Sequence, residues 1–263
     1  MPEAVLLKRE KEIAHLVLNR PEAFNAMNLE LVEAFTHHLM GLAVDESVRA
    51  VVITGEGKAF CAGGDLKWAL GYPQGPAASL HVLAGVLHQG ILEVRGMAKP
   101  VIAAVNGVAA GAGFSLAIGC DFRVMARSAT FRQAYTSNGL CIDGGGTFAL
   151  PRLVGMARAL EIAGFDAPIS SDQALAWGLV TKIVGDGKVV EEATAMATQL
   201  ASRSLHSFGL SKRLFNESFH TPLEAQLESE RAGIRACAAH PDGQEGMKAF
   251  SQKRKPVFHR GGG

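Results

Sequence analysis

The chain has no Cys-x-x-Cys pair, no His-Glu-x-x-His helix and no cluster of His and Cys, so the ligand spacings of a zinc site are missing. Its four cysteines, Cys61, Cys120, Cys141 and Cys237, are scattered singly, which predicts reduced, mostly buried thiols rather than a disulfide framework. No glycine-rich turn ends in Gly-Lys-Ser or Gly-Lys-Thr. None gives the full G-x-G-x-x-G pattern with a following acid either, so phosphate-loop and dinucleotide fingerprints are both absent. Charge of one sign is also lacking: 26 basic and 25 acidic side chains nearly cancel, and a nucleic-acid partner, which needs a basic face, is not expected. No secretory apolar segment opens the chain and no apolar run of membrane-spanning length stands out. The expectation is a cytosolic protein with no membrane partner.

What is present is a chain long enough for a full core, as one large domain or one domain with an appendage: 263 residues. Short apolar runs such as "IAHLVLN" (13–19), "AVVITG" (50–55), "PVIAAVNG" (100–107) and "DFRVMA" (121–126) read as strands. Asn28 is placed to cap a helix whose apolar face steps through Val32, Phe35, Leu39 and Leu42. "AAGAGFSLAIG" (109–119) is small and apolar enough to pack tightly. Strands alternating with helices predict an α/β fold whose strands are buried on both faces. From Val189 onward the pattern turns helical, over 189–204, 206–219, 222–239 and 243–252, with Thr221 as a cap and Pro222 as a first helical residue. The stretch "GYPQGPAASL" (71–80) has weak periodicity and predicts a mobile loop, in a 68–92 region expected to wall a pocket.

Three glycine-rich turns carry the chemistry: "GKAFCAGGDLKW" (57–68), "NGVAAGAGFSLA" (106–117) and "DGGGT" (143–147). The first two follow strands and precede helix-like segments. Backbone N–H groups at such helix starts are fixed donors, and two together suit an oxygen that gains negative charge. Asp143, directly before Gly144, Gly145 and Gly146, has two open roles at this point: a cap for the next helix, or a carboxylate held for proton transfer.

"GKAFCAGGDL" followed by "KPVIAAVNGVAAGAGFSLAIGCD" resembles the signature of the crotonase, or enoyl-CoA hydratase/isomerase, superfamily. The resemblance extends through "LPRLVG", "ALAWGLVTKIV" and "GMKAFSQKRKPVF". It implies a fold of repeated ββα units over about 1–200, then a helical oligomerisation region over 201–263. It also implies an acyl-CoA thioester substrate, no separate cofactor, and assembly as a trimer or dimer of trimers. The thioester oxygen would meet the amides of Gly64 and Ala112, each such donor supplying about 3 kcal/mol of transition-state stabilisation. By the same resemblance Ala26, Ala62, Asp65, Leu66 and Lys67 would line the coenzyme A path, and Phe250 and Lys253 would reach it, often across a subunit boundary.

The sequence departs from that family where hydratases carry two glutamates: Ser115 and Tyr135 stand there instead. Neither does carboxylate work at neutral pH, tyrosine being a poor base with a pKa near about 10. Asp143 falls where several branches of the superfamily, the phenylacetate-pathway and dienoyl-CoA isomerases and the 4-chlorobenzoyl-CoA dehalogenases, place a working aspartate, and "LCIDGGGTFALPRLVG" is most similar to the phenylacetate-pathway epoxide and oxepin-CoA isomerases. The resemblance thus implies an isomerase that moves one proton through Asp143. Alternatives are a hydratase, an aryl-CoA dehalogenase in which His88 activates water against an Asp143 ester, and a non-catalytic member binding acyl-CoA or RNA.

Overall fold

The computed structural model describes residues 3–258. Strands β1 (Val5–Glu10) and β2 (Ile13–Leu18) form an antiparallel hairpin, and α1 (Leu29–Val44) follows, its first turn capped by Asn28 accepting the Leu31 N–H at 3.0 Å. The chain then repeats one plan. A long strand is followed by a short strand and a helical return: β3 (Ala50–Gly55), β4 (Ala59–Cys61), α2 (Leu66–Leu70) and α3 (Gly75–Gly96); β5 (Val101–Val105), β6 (Val108–Ala110) and α4 (Ala112–Gly119); β7 (Phe122–Ala126), β8 (Thr130–Arg132) and α5 (Gly146–Phe165). Next come β9 (Ile169–Ser170), α6 (Ser171–Ala176), β10 (Lys182–Val184) and α7 (Val189–Ala201). Helices α8 (Leu205–Glu217), α9 (Leu223–Ala239) and α10 (Pro241–Ser251) close the described chain.

Five strands of five or six residues and the three-residue β10 assemble one sheet in the order β1-β2-β3-β5-β7-β10, and strands of two or three residues a second in the order β4-β6-β8-β9. Parallel neighbours need a crossover, and the helices supply it. The α/β fold of repeated ββα units with C-terminal helices is therefore what the chain adopts. Every residue of β2, β3 and β5 is buried, as expected for strands covered on both faces. Helix α7 lays Ala193, Ala197 and Ala201 against the large sheet, and small residues let it approach closely. Helix α8 is tied to the body by Lys212, whose Nζ reaches Asp121 at 2.8 Å and the Val94 carbonyl at 2.7 Å.

Three expectations change. "GYPQGPAASL" is no loop beyond Gln74: Pro76 opens the 22-residue α3, and buried Ser79 donates to the carbonyls of Ala69 (3.1 Å) and Pro76 (2.9 Å), pinning its start. Among the described residues α3 is also long and apolar enough to cross a membrane, which the sequence pattern hid; its buried stripe of Leu83, Leu87, Ile91 and Val94 belongs to the protein core, and α3 packs on α1. Pro222 takes the cap position of α9 and Thr221 turns back to bond the Glu217 carbonyl, so the helix starts one residue later than expected. Finally, Cys141 is exposed and Cys237 half-buried, whereas Cys61 and Cys120 are fully buried thiols whose pKa burial pushes up to about 12.

Candidate active site

Strands β4, β6 and β8 are parallel neighbours, so their C-terminal ends sit side by side, one strand spacing apart. The turn after β4 carries Gly64, the turn after β6 carries Ala112, and the segment after β8 carries Tyr135. Met27 fixes the first turn: its N–H bonds the Gly63 carbonyl (2.7 Å) and its carbonyl accepts from Asp65 (2.8 Å), a ladder that skips the Gly64 N–H. Ala112 is the first residue of α4, where an N–H has no partner within the helix. Among the described residues neither amide meets an acceptor. The two turns touch: a Cβ on Gly63 would lie 2.9 Å from the Ala110 carbonyl and 3.4 Å from the Ala112 nitrogen. Gly111, at φ +53° and ψ −126°, holds a conformation that only glycine takes readily.

Asp143 arrives from the long connection between β8 and α5. It caps nothing: the cap residue of α5 is Gly145, with no side-chain bond to the helix. Its Oδ1 instead accepts a hydrogen bond from the Tyr135 hydroxyl, which also meets the Ser115 side chain. Burial and the Asp143 charge push the Tyr135 pKa well above the usual phenol value, so the ring stays a neutral donor. The triple glycine has a steric cause as well, since a Cβ on Gly146 would stand 2.5 Å from the Ser115 hydroxyl. Ser115 is 1% exposed and enclosed by this loop. A cavity of about 100 Å³ brings Gly64, Ala112, Tyr135 and Asp143 together, walled by Leu80, Leu83 and Leu87 of α3.

Other expected residues are placed differently. Ala62 and Leu66 line the same cavity, but Ala26, Asp65, Lys67, Phe250 and Lys253 do not. Asp65 caps α2 through the Trp68 N–H (3.0 Å) and pairs with Arg20 (3.1 Å), so both its carboxylate oxygens serve the turn. Arg20 also donates to the Ala26 carbonyl at 2.5 Å. Lys67 and Phe250 are exposed, and Lys253 follows the end of α10. His88 lines a different cavity, of about 540 Å³, on the other side of Gly144; its Nε2 accepts the Gly144 N–H at 3.3 Å. Two supports had no signal beyond turn-like composition: Gln133 accepts from the Tyr135 N–H (3.0 Å), and Asp166 accepts from those of Ala134 (2.6 Å) and Ser137 (3.1 Å). They hold Ala134 at φ +56°, which turns Tyr135 inward.

Two free amides ending adjacent parallel strands, sharing a cavity with a carboxylate, form an arrangement able to hold an oxygen that gains negative charge. The family model described as Enoyl-CoA hydratase/isomerase matches residues 8–261. The chain is 38% identical to the 1,2-epoxyphenylacetyl-CoA isomerase of Escherichia coli K12, over 98% of this chain and 99% of that one. It is 36% identical to the crotonyl-CoA hydratase of Syntrophomonas wolfei, over 97% and 98%. An enoyl-CoA hydratase structure from Polaromonas sp. JS666 superposes with a TM-score of 0.92 at 38% identity, covering 97% of this chain and 99% of that one. The chain belongs to the enoyl-CoA hydratase/isomerase family of the crotonase superfamily.

Proposed function

We propose that this protein is an acyl-CoA isomerase that moves a double bond, or rearranges a strained ring, by proton transfer through Asp143. The observation that carries the proposal is the side-chain set around the two amides: one carboxylate, with a serine and a neutral phenol where a hydratase needs acids. The thioester carbonyl accepts hydrogen bonds from the Gly64 and Ala112 N–H groups, which makes the neighbouring C–H acidic. Asp143 takes a proton from the α or γ carbon, and the C–H electron pair moves into the conjugated system and onto the carbonyl oxygen. The protonated acid then returns the proton at the other end of that system. Tyr135 holds the carboxylate in place by donating to Oδ1, and a base fixed beside its carbon replaces a solution encounter.

The coenzyme A moiety leaves the cavity past Ala62 and Leu66, with Ala26 and Lys67 along the rim. Phe250 and Lys253 serve a neighbouring copy within a trimer or dimer of trimers. Exposed Leu227, Ile234 and Phe250 on α9 and α10 give that assembly an apolar face. Support for the isomerase over the dehalogenase lies in His88, which has the Gly144 N–H as its partner and faces another cavity.

The test is ultraviolet absorbance of a 3-enoyl-CoA mixed with wild type and with Asp143→Asn. Wild type is expected to generate the conjugated 2-enoyl thioester, and the variant to lose about a thousandfold in rate with its melting temperature kept. Absence of conversion by wild type, or full conversion by the variant, overturns the proposal.

A further inference from the structure

A third cavity, of about 190 Å³, lies between the end of α3, the start of β7, α5 and α8. Three arginines line it, Arg95, Arg123 and Arg152, and among the described residues the one acid on its wall is Asp121. Asp121 is already committed: Lys212 Nζ lies 2.8 Å from it and the Val101 N–H 2.9 Å. Arg123 is 6% exposed; its Nη1 donates to the Cys120 carbonyl at 2.6 Å and its Nε–H has no acceptor. The Nε–H of Arg95 is likewise buried without an acceptor. A buried cation such as Arg123 is costly to leave without a counter-charge, and Asp121, the acid whose charge reaches Arg95 and Arg123, is already shared with Lys212.

The rest of the wall is aromatic. The Arg152 guanidinium carbon stands 3.5 Å from the ring centre of Phe148 and 4.6 Å from that of Phe219, and Phe215 lines the same space. Flat cation and flat rings together suit a flat apolar body that ends in an anion. Guanidinium groups pair best with carboxylates, whose two oxygens match their fork of donors.

We propose that this cavity binds a small organic carboxylate, its acid group among Arg95, Arg123 and Arg152 and its apolar body against Phe148, Phe215 and Phe219. The site is separate from the amide-lined cavity and does not depend on the isomerase assignment. A carboxylate side chain of a second copy of this chain offers the same chemistry, and the experiment separates the two sources.

Titration calorimetry with benzoate is the direct test, with benzylamine and inorganic phosphate as controls. One benzoate per chain is expected, with affinity about tenfold or more weaker in Arg95→Gln and in Arg152→Gln and unchanged in Asp143→Asn. Arg152 is exposed, so its variant keeps the test valid if Arg95→Gln, which loses its bond to Asn216, fails to fold. Benzylamine is expected not to bind, and phosphate to bind more weakly than benzoate. Absent binding, unchanged affinity in Arg152→Gln, or phosphate binding as tight as benzoate overturns the proposal. So does an Arg152→Gln protein that sediments as a smaller assembly while binding benzoate normally, because the arginines would then answer a neighbouring copy.

Discussion

The two sheets differ in length, in burial and in work. The large sheet has long, fully buried strands such as β2, β3 and β5, and no residue of the amide-lined cavity comes from it. The small sheet has strands of two or three residues, yet the ends of β4, β6 and β8 deliver both amides and Tyr135. A short strand leaves its next residues free to turn, and a turn is where backbone N–H groups can face a ligand instead of a ladder. The difference teaches a division of labour: burial in the large sheet holds the small one still, and the small one presents donors.

Substitutions can break this division or sharpen it. The largest effect is expected from Phe35→Ala on α1, fully buried in the core that covers the large sheet, at a cost of about 3–5 kcal/mol in unfolding free energy. Denaturant unfolding measures it, and turnover per folded molecule should stay unchanged; a matching loss of turnover would show that the division fails. Next comes Tyr135→Phe, which removes the donor to Asp143 and leaves the strands alone. A hydrogen bond to a charged group is worth about 1.5–3 kcal/mol, so turnover should fall about tenfold to a hundredfold at a nearly constant melting temperature.

The smallest effect lies back in the large sheet. His15 on β2 is 8% exposed, and burial lowers its pKa from the usual 6.5 against the opposing pull of Glu10, with Lys8 adding to the lowering. The unfolded chain therefore takes up a proton at a higher pH than the folded one. Its contribution is complete above pH 6.5 and is lost as the pH falls through the lowered value. Melting curves should show that acid-side loss in wild type and a weaker one in His15→Leu, with no change in turnover at neutral pH. Equal slopes in the two proteins would remove His15 from the account.

Much of this was legible in the chain. Periodicity marked the strands and α1, because a half-buried helix and a buried strand leave different spacings. The glycine turns and Asp143 marked residues that share the amide-lined cavity, since glycine stands where backbone must come close or bend back. Less was legible where a role depends on distant partners. Nothing local distinguishes Asp65, which holds Arg20 and caps α2, from an acid that meets a ligand. Nor does spacing show that His88 lies beyond the glycine loop, facing another cavity. The start of α3 was missed because its pins, Pro76 and buried Ser79, act through packing rather than through apolar rhythm.

By itself the sequence determined the alternation of strand and helix, the two amide turns and the lack of both glutamates, because each is a property of neighbouring residues. Only the tertiary structure decided that Asp143 faces Tyr135 rather than a helix end, and that three arginines from distant segments share one cavity whose acid, Asp121, is held by Lys212. The physical reason is distance along the chain: hydrogen bonds and charge pairs between remote residues exist only once the sheets have brought them together.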